Sequence, residues 1–238
     1  MKKVFGLAPL VCVCAALTFA QSTNDYDRVN IFAGFSQNRV NTTDRDLLNI
    51  QAPAGFNDAG GGIDLIDNRR GFNGFNASVT GSVSRYVGLK FDSSAHYDSD
   101  RIRANSIIPC LSPPCQTSPV DFELRSSLYN FLGGVQVRDN AKSASLKPFA
   151  HVLVGAAHAR SRVDEESLNR PCVLAVGAVC PGVFQRSDTG LAGAFGGGLD
   201  FRLSDRVDLR AVQLDYNPVR IDGATRHNFR IGVGIVFR

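Results

Sequence analysis

From Arg28 onward, apolar and polar residues alternate with a period of two in one segment after another. The clearest case ends at Phe237: Phe229, Ile231, Val233, Ile235 and Phe237 fill one register, and Asn228, Arg230, Gly232 and Gly234 the other. Successive side chains of a strand point to opposite faces, so this spacing predicts a strand with one apolar and one polar or small face. Eight such strands are predicted: Arg28–Val40, Phe72–Val83, Val87–Tyr97, Phe122–Arg138, Lys147–Arg160, Thr189–Arg202, Val207–Tyr216 and Arg226–Phe237. Phe32 breaks the alternation of the first. In the fourth, Leu128-Tyr129-Asn130-Phe131 falls out of phase, and a β-bulge is expected there.

The connections sort by length. Short polar turns at Ser84–Tyr86, Asp139–Ser143 and Ser204–Asp205 alternate with long stretches at 41–71, 98–121 and 161–188. The last link runs through Pro218 and Asp222-Gly223. Long and short in alternation is what an up-and-down barrel gives when every long loop lies at one rim. The expected fold class is all-β: an eight-stranded antiparallel up-and-down transmembrane β-barrel.

The start of the chain supplies the compartment. Lys2 and Lys3 precede an apolar stretch from Val4 to Ala20, with Thr18-Phe19-Ala20 before Gln21. This reads as a cleaved signal peptide over 1–20, leaving a single barrel domain over 21–238. Beyond it no apolar run is long enough for a membrane helix. Cys110 and Cys115 bracket Leu-Ser-Pro-Pro, and Cys172 and Cys180 bracket a second loop. Four cysteines allow three connectivities, of which 110–115 with 172–180 needs the least chain closure and suits an exported protein. A zinc site is the alternative, but only the first pair has its spacing.

Alternation alone does not say which face is inside. A soluble, lipocalin-like barrel would turn the apolar face inward around a ligand. Here the polar register is rich in Gly, Ser, Thr and Asn, which suits a narrow, filled lumen. It also carries both signs of charge: Lys90, Asp92, Asp200, Asp208, Arg210 and Arg230. Lys90, Asp92, Asp200, Arg210 and Arg230 are therefore the candidate lumen cluster. Asp200 and Arg210 flank the Ser204–Asp205 turn and are expected to pair, with Asp215 nearby. Phe72, Phe75, Tyr86, Tyr97, Phe201, Tyr216 and Phe237 lie near strand ends, where interfacial girdles form.

These features, taken together, resemble the small outer-membrane β-barrel proteins of the OmpA-like and opacity-protein type. The residues that carry the likeness are Leu132-Gly133-Gly134-Val135, Pro148-Phe149-Ala150 with Gly155, and Phe195-Gly196-Gly197-Gly198-Leu199-Asp200. Leu209-Arg210, Asp215-Tyr216 and the glycine-alternating last strand complete it. The resemblance implies the bacterial outer membrane, contact with outer-membrane lipid, and recognition of the last strand by the barrel-insertion machinery. Phe237 is the aromatic residue for that recognition, with Arg238 after it.

Charge excludes one class. The chain carries 26 Lys and Arg against 22 Asp and Glu, and two of the lysines lie in the leader. That is no nucleic-acid signature, and no cofactor is expected. His96, with Ser94 and Asp98 nearby, is the candidate for membrane-face hydrolysis, yet residues two apart on a strand do not make a triad. His151 and His158 have opposite parity and cannot share the lumen. His227 shares the apolar face near the loop-side rim. Asp58, Asp64 and Asp67 around Gly60-Gly61-Gly62 lack a calcium-loop pattern, and the glycines lack the partners of a phosphate loop. The expected function is a non-enzymatic surface protein that supports the envelope or binds an unidentified extracellular partner through its loops. A narrow ion or solute channel is the alternative, and a lipid-modifying enzyme the third.

Overall fold

The computed structural model describes residues 26–40, 63–64, 70–107, 117–164, 185–221 and 223–238. The leader, all four loop cysteines and most of the three long loops lie outside these residues. The described chain is built of strands: β1 (Val29–Val40), β2 (Ile63–Asp64), β3 (Arg70–Ser82), β4 (Val87–Ile107), β5 (Thr117–Arg138), β6 (Leu146–Asp164), β7 (Gln185–Arg202), β8 (Val207–Ile221) and β9 (Ala224–Phe237). Each barrel strand pairs antiparallel with its neighbour in sequence. The β1–β9 pairing, Ile31 opposite Phe237 through Arg39 opposite Phe229, closes the ring. The eight long strands thus form a closed up-and-down barrel. β2 lies outside the ring, with Ile63 opposite Ala104 and Asp64 opposite Arg103 on β4.

The face assignment follows from burial. In the even register of β4, Lys90, Asp92, Ser94 and His96 are buried, while Leu89 and Phe91 in the odd register are 61% and 56% exposed. The same inversion holds around the ring: Phe35, Phe75, Phe131, Val154, Leu191, Leu214 and Phe229 all stand on the outer wall. Each large apolar side chain left in water forgoes roughly 1.5–3 kcal/mol. A handful would exceed the whole stability of an ordinary domain, about 5–15 kcal/mol. The wall therefore faces lipid, and the barrel is transmembrane. On β6 the outward apolar run goes from Leu146 to Ala156, the length of a tilted membrane strand.

The structure corrects four details. β5 keeps continuous register with both neighbours, so there is no bulge at Leu128–Phe131. Leu128 and Leu132 simply face inward, where they are buried, while Tyr129 and Phe131 face outward. The bulge lies in β8 instead. Leu199 opposes Val212 but Asp200 opposes Arg210, and Arg210 opposes Gly234 but Gln213 opposes Gly232. One extra residue at Ala211–Val212 moves the lumen register from Asp208 and Arg210 to Gln213, Asp215 and Asn217. The link between β8 and β9, expected to run over the roughly nine residues between Tyr216 and Arg226, is much shorter, because Ile221 pairs with Ala224 and Gly223 takes a positive φ of 74°. That conformation favours glycine in a tight turn. Finally, Phe72 belongs to no girdle: it is buried in the lumen.

Candidate functional site

The lumen cluster assembles as one ladder of alternating charge. At the rim of the short turns, Arg238 reaches Asp27 and Asp208, both at 3.1 Å. Lys147 lies 3.4 Å from Asp208. Arg138 bridges Asp208 at 2.6 Å and Asp200 at 3.3 Å. Arg210 then donates Nε and Nη2 to the two oxygens of Asp200, at 2.8 and 3.1 Å. Its Nη1 donates to Gln213, and Gln213 donates to Asp215. Arg230 spans Asp215 at 2.7 Å and Asp92 at 2.8 Å. Lys90 lies 3.7 Å from Asp92, and His151 Nε2 lies 3.0 Å from Asp215. The ladder thus contains Lys90, Asp92, Asp200, Arg210 and Arg230. It also contains Arg138, Lys147, His151 and Arg238, which the sequence reading did not place there. Parity could have found Arg238, since it continues the inward register of Asn228 and Arg230.

Phe32 explains why it breaks the alternation of β1. Its ring is buried in the lumen, and the Arg210 guanidinium sits 4.3 Å above its centroid and 4.1 Å from that of Phe149. A desolvated cation between two rings gains about 2 kcal/mol or more. The ring needs room from the paired Gly34 and Gly234. A Cβ at Gly34 would lie 2.7 Å from the Phe32 ring, and one at Gly234 2.8 Å from it.

Toward the loops, the filling changes character. Val40, Phe72, Leu128, Leu132, Leu153, Ala157, Ala192, Ala194 and Val219 pack into one buried apolar cluster across the lumen. Polar pairs fill the space between it and the ladder. Asn38 donates to Asn217 at 3.2 Å, and Asn130 to Ser94 at 3.2 Å. His96 meets Ser36, not Ser94 or Asp98, with Nε2 to Oγ at 2.7 Å. Both residues are fully buried, which suits a packed polar pair rather than a site at the membrane face.

On the outer wall, the apolar belt ends in a band of polar and aromatic residues. Gln37 donates to Asn73, Tyr97 meets Tyr129 edge-on at 5.8 Å, and Tyr129 stacks on His158. His158 reaches Thr189 at 2.8 Å. Farther round, Tyr216 stacks on His227. Rings with an apolar body and a polar tip settle where one end is dry and the other wet. This band marks the loop-side membrane boundary. β4 and β5 continue well beyond it and pair up to Ile107 opposite Thr117. His158 is on this outer face while His151 is in the lumen.

No protein-family model and no curated protein sequence matches the chain. Among solved structures, the barrel is similar to Ail, the attachment invasion locus protein of Yersinia pestis. The identity is 16% and the TM-score 0.47, with 88% of this chain and 98% of that one covered. It is similar to OprG of Pseudomonas aeruginosa at 9% identity and TM-score 0.42, covering 90% and 96%. Neisserial surface protein A gives 11% and 0.42, covering 90% and 99%. The chain is similar to small outer-membrane barrels. At these identities the likeness is one of general shape and assigns no activity.

Proposed function

We propose that the chain is a non-enzymatic outer-membrane surface protein, a sealed barrel that anchors long external strands and loops. The observation that carries this reading is the filled lumen: a charged ladder toward the turns and an apolar layer toward the loops. A barrel of eight strands has an interior just wide enough for side chains to fill. Export through the leader over 1–20, insertion by the barrel-insertion machinery at the last strand, and loops pinned by Cys110, Cys115, Cys172 and Cys180 complete the proposal. Envelope support and contact with an extracellular partner would then fall to the wall and to the continuation of β4 and β5.

A narrow channel is the second reading, because the ladder lines the lumen with charge from Asp27 to Asp92. Planar-bilayer recording separates the two. The sealed barrel shows no steady conductance, and the double variant Leu132→Ser/Leu153→Ser, which wets the apolar layer, raises it. Steady ion current through the unaltered protein would replace the surface-protein reading by the channel.

A further inference from the structure

The residues just before β1 do not follow the wall. They cross the turn-side mouth of the lumen. The backbone N–H of Ser82 donates to Arg28 O at 2.7 Å, so the chain is still beside β3 at Arg28. One residue earlier, the N–H of Asp27 donates to Asn140 O at 3.1 Å, in the turn between β5 and β6. Tyr26 bridges Ala141 in the same turn. Asn140 and Ala141 are both buried, and the N–H of Asn140 donates to Arg85 O in the turn between β3 and β4. The Asp27 carboxylate turns into the mouth. It lies 3.5 Å from Lys147 on β6 and 3.1 Å from Arg238, at the end of β9. Arg238 is held from its other side by β8 and the turn before it. Its N–H donates to Arg206 O, its Nη2 donates to Ser204 O, and Asp208 lies at 3.1 Å.

Distance decides when these contacts can form. β3 and β4 separate β1 from β5 along the sheet. At about 4.8 Å per strand spacing, a flat sheet puts β1 about 14 Å from β5 and about 19 Å from β6. One residue beyond Arg28 extends the chain by at most about 3.6 Å. Asp27 therefore reaches Asn140 and Lys147 only across the mouth of a curled sheet. The other half of the clamp forms later still. The ladder between β1 and β9 ends at Ile31 opposite Phe237, and Arg238 follows Phe237. The Asp27–Arg238 pair lies beyond that end and spans the seam itself, joining residues 211 apart in sequence. Contacts that close so long a loop form late, because the chain entropy is lost before they contribute. Their side chains are only 10% and 1% exposed, so salt screens the pair weakly. We propose that Tyr26–Arg28 is a closure latch. It docks only once β9 has met β1, and it then holds the turn-side end of the seam against opening. The lifetime of the closed barrel is thus set partly by a strap that lies outside the ring.

The test follows the compact, unboiled gel band of the whole barrel in time. Its appearance on dilution from urea into detergent micelles gives the refolding rate, and its loss in concentrated urea gives the unfolding rate. Asp27→Ala unfolds about tenfold faster, the size of one charged hydrogen bond. Its refolding rate stays within about twofold of the unaltered protein, because a contact absent from the transition state changes only unfolding. If the alanine variant does not fold, Asp27→Asn, which keeps the shape and removes the charge, gives the same readout. Arg238→Met also speeds unfolding, and adding Asp27→Ala to it speeds unfolding little further, since the pair is already broken. Three results overturn the latch. An unchanged unfolding rate shows that the strap holds nothing. Refolding slowed as much as unfolding is accelerated shows that the contact forms before closure. Additive effects of the two substitutions show that Asp27 and Arg238 do not act as a pair.

Discussion

The two halves of this lumen are filled by opposite chemistry. Toward the turns, Arg138, Asp200, Arg210, Asp215, Arg230 and Asp92 form a continuous charged ladder. Toward the loops, Leu128, Leu132, Leu153 and Val219 form an apolar layer. Burying charges costs several kcal/mol per ion, and good pairing only roughly offsets it. Burying leucines is favourable outright. The difference teaches a division of labour. The ladder gains little net stability but fixes which strands may face one another, because any slip strands a charge. The layer stabilises and excludes water, and tolerates small shifts.

That comparison breaks most sharply at Asp215. Asp215→Ala leaves Arg230 and His151 without their nearest carboxylate and is expected to cost about 3–5 kcal/mol. The chain has no tryptophan, so urea unfolding followed by far-UV circular dichroism reads it. Adding Arg230→Met to Asp215→Ala should recover part of the loss, since the uncompensated charge goes with it. No recovery would mean that the ladder is not a coupled unit.

Leu132→Ala tests the other half. A truncated buried leucine costs about 2–5 kcal/mol, and a partner substitution elsewhere in the layer should add to it, with no charge to rescue. Phe32→Leu probes the ladder, where the ring lies against Arg210. It keeps most of the volume but removes one face of the Arg210 sandwich, at about 1–2 kcal/mol. The same urea midpoint measures both.

The smallest effect belongs outside the membrane. At the turn rim Arg85 holds Asp139 at 3.0 Å, with side chains 47% and 33% exposed. The hydrogen bond from Arg85 holds the Asp139 carboxyl below its ordinary value. A depressed carboxylate pKa stabilises the fold above the unfolded value, and this is lost as pH falls through the folded one. Arg85→Ala should therefore cost only about 0.2–1 kcal/mol at neutral pH. The difference from the unaltered protein should vanish on acidification. A gap that persists in acid would show that Arg85 acts by packing.

Strand faces were legible where one register was purely polar, as in Asn76, Ser78 and Thr80 of β3 or Lys90, Asp92 and Ser94 of β4. The Asp200–Arg210 contact was legible because a short turn sets the two residues opposite each other. The Arg230–Asp92 contact was not, since 138 residues separate them and the strands that carry them meet only across the lumen. The apolar layer was hidden for a different reason. Leu128 and Leu132 point inward beside outward Tyr129 and Phe131, so both faces of β5 read as apolar and imitated a bulge. Pro218 hid the true end of β8, because proline inside a sheet ladder is rare.

The most direct test of the account is heat modifiability. The chain from Gln21 onward would be refolded in detergent micelles and run on a denaturing gel, unboiled and boiled. A lipid-facing barrel locked by its ladder and layer gives a compact, faster band before boiling, with a β-rich circular dichroism spectrum. The Asp215→Ala variant then loses that band at lower temperature. A chain that folds to the same β-rich state in plain buffer would contradict the central claim, because its apolar wall would have to line the inside.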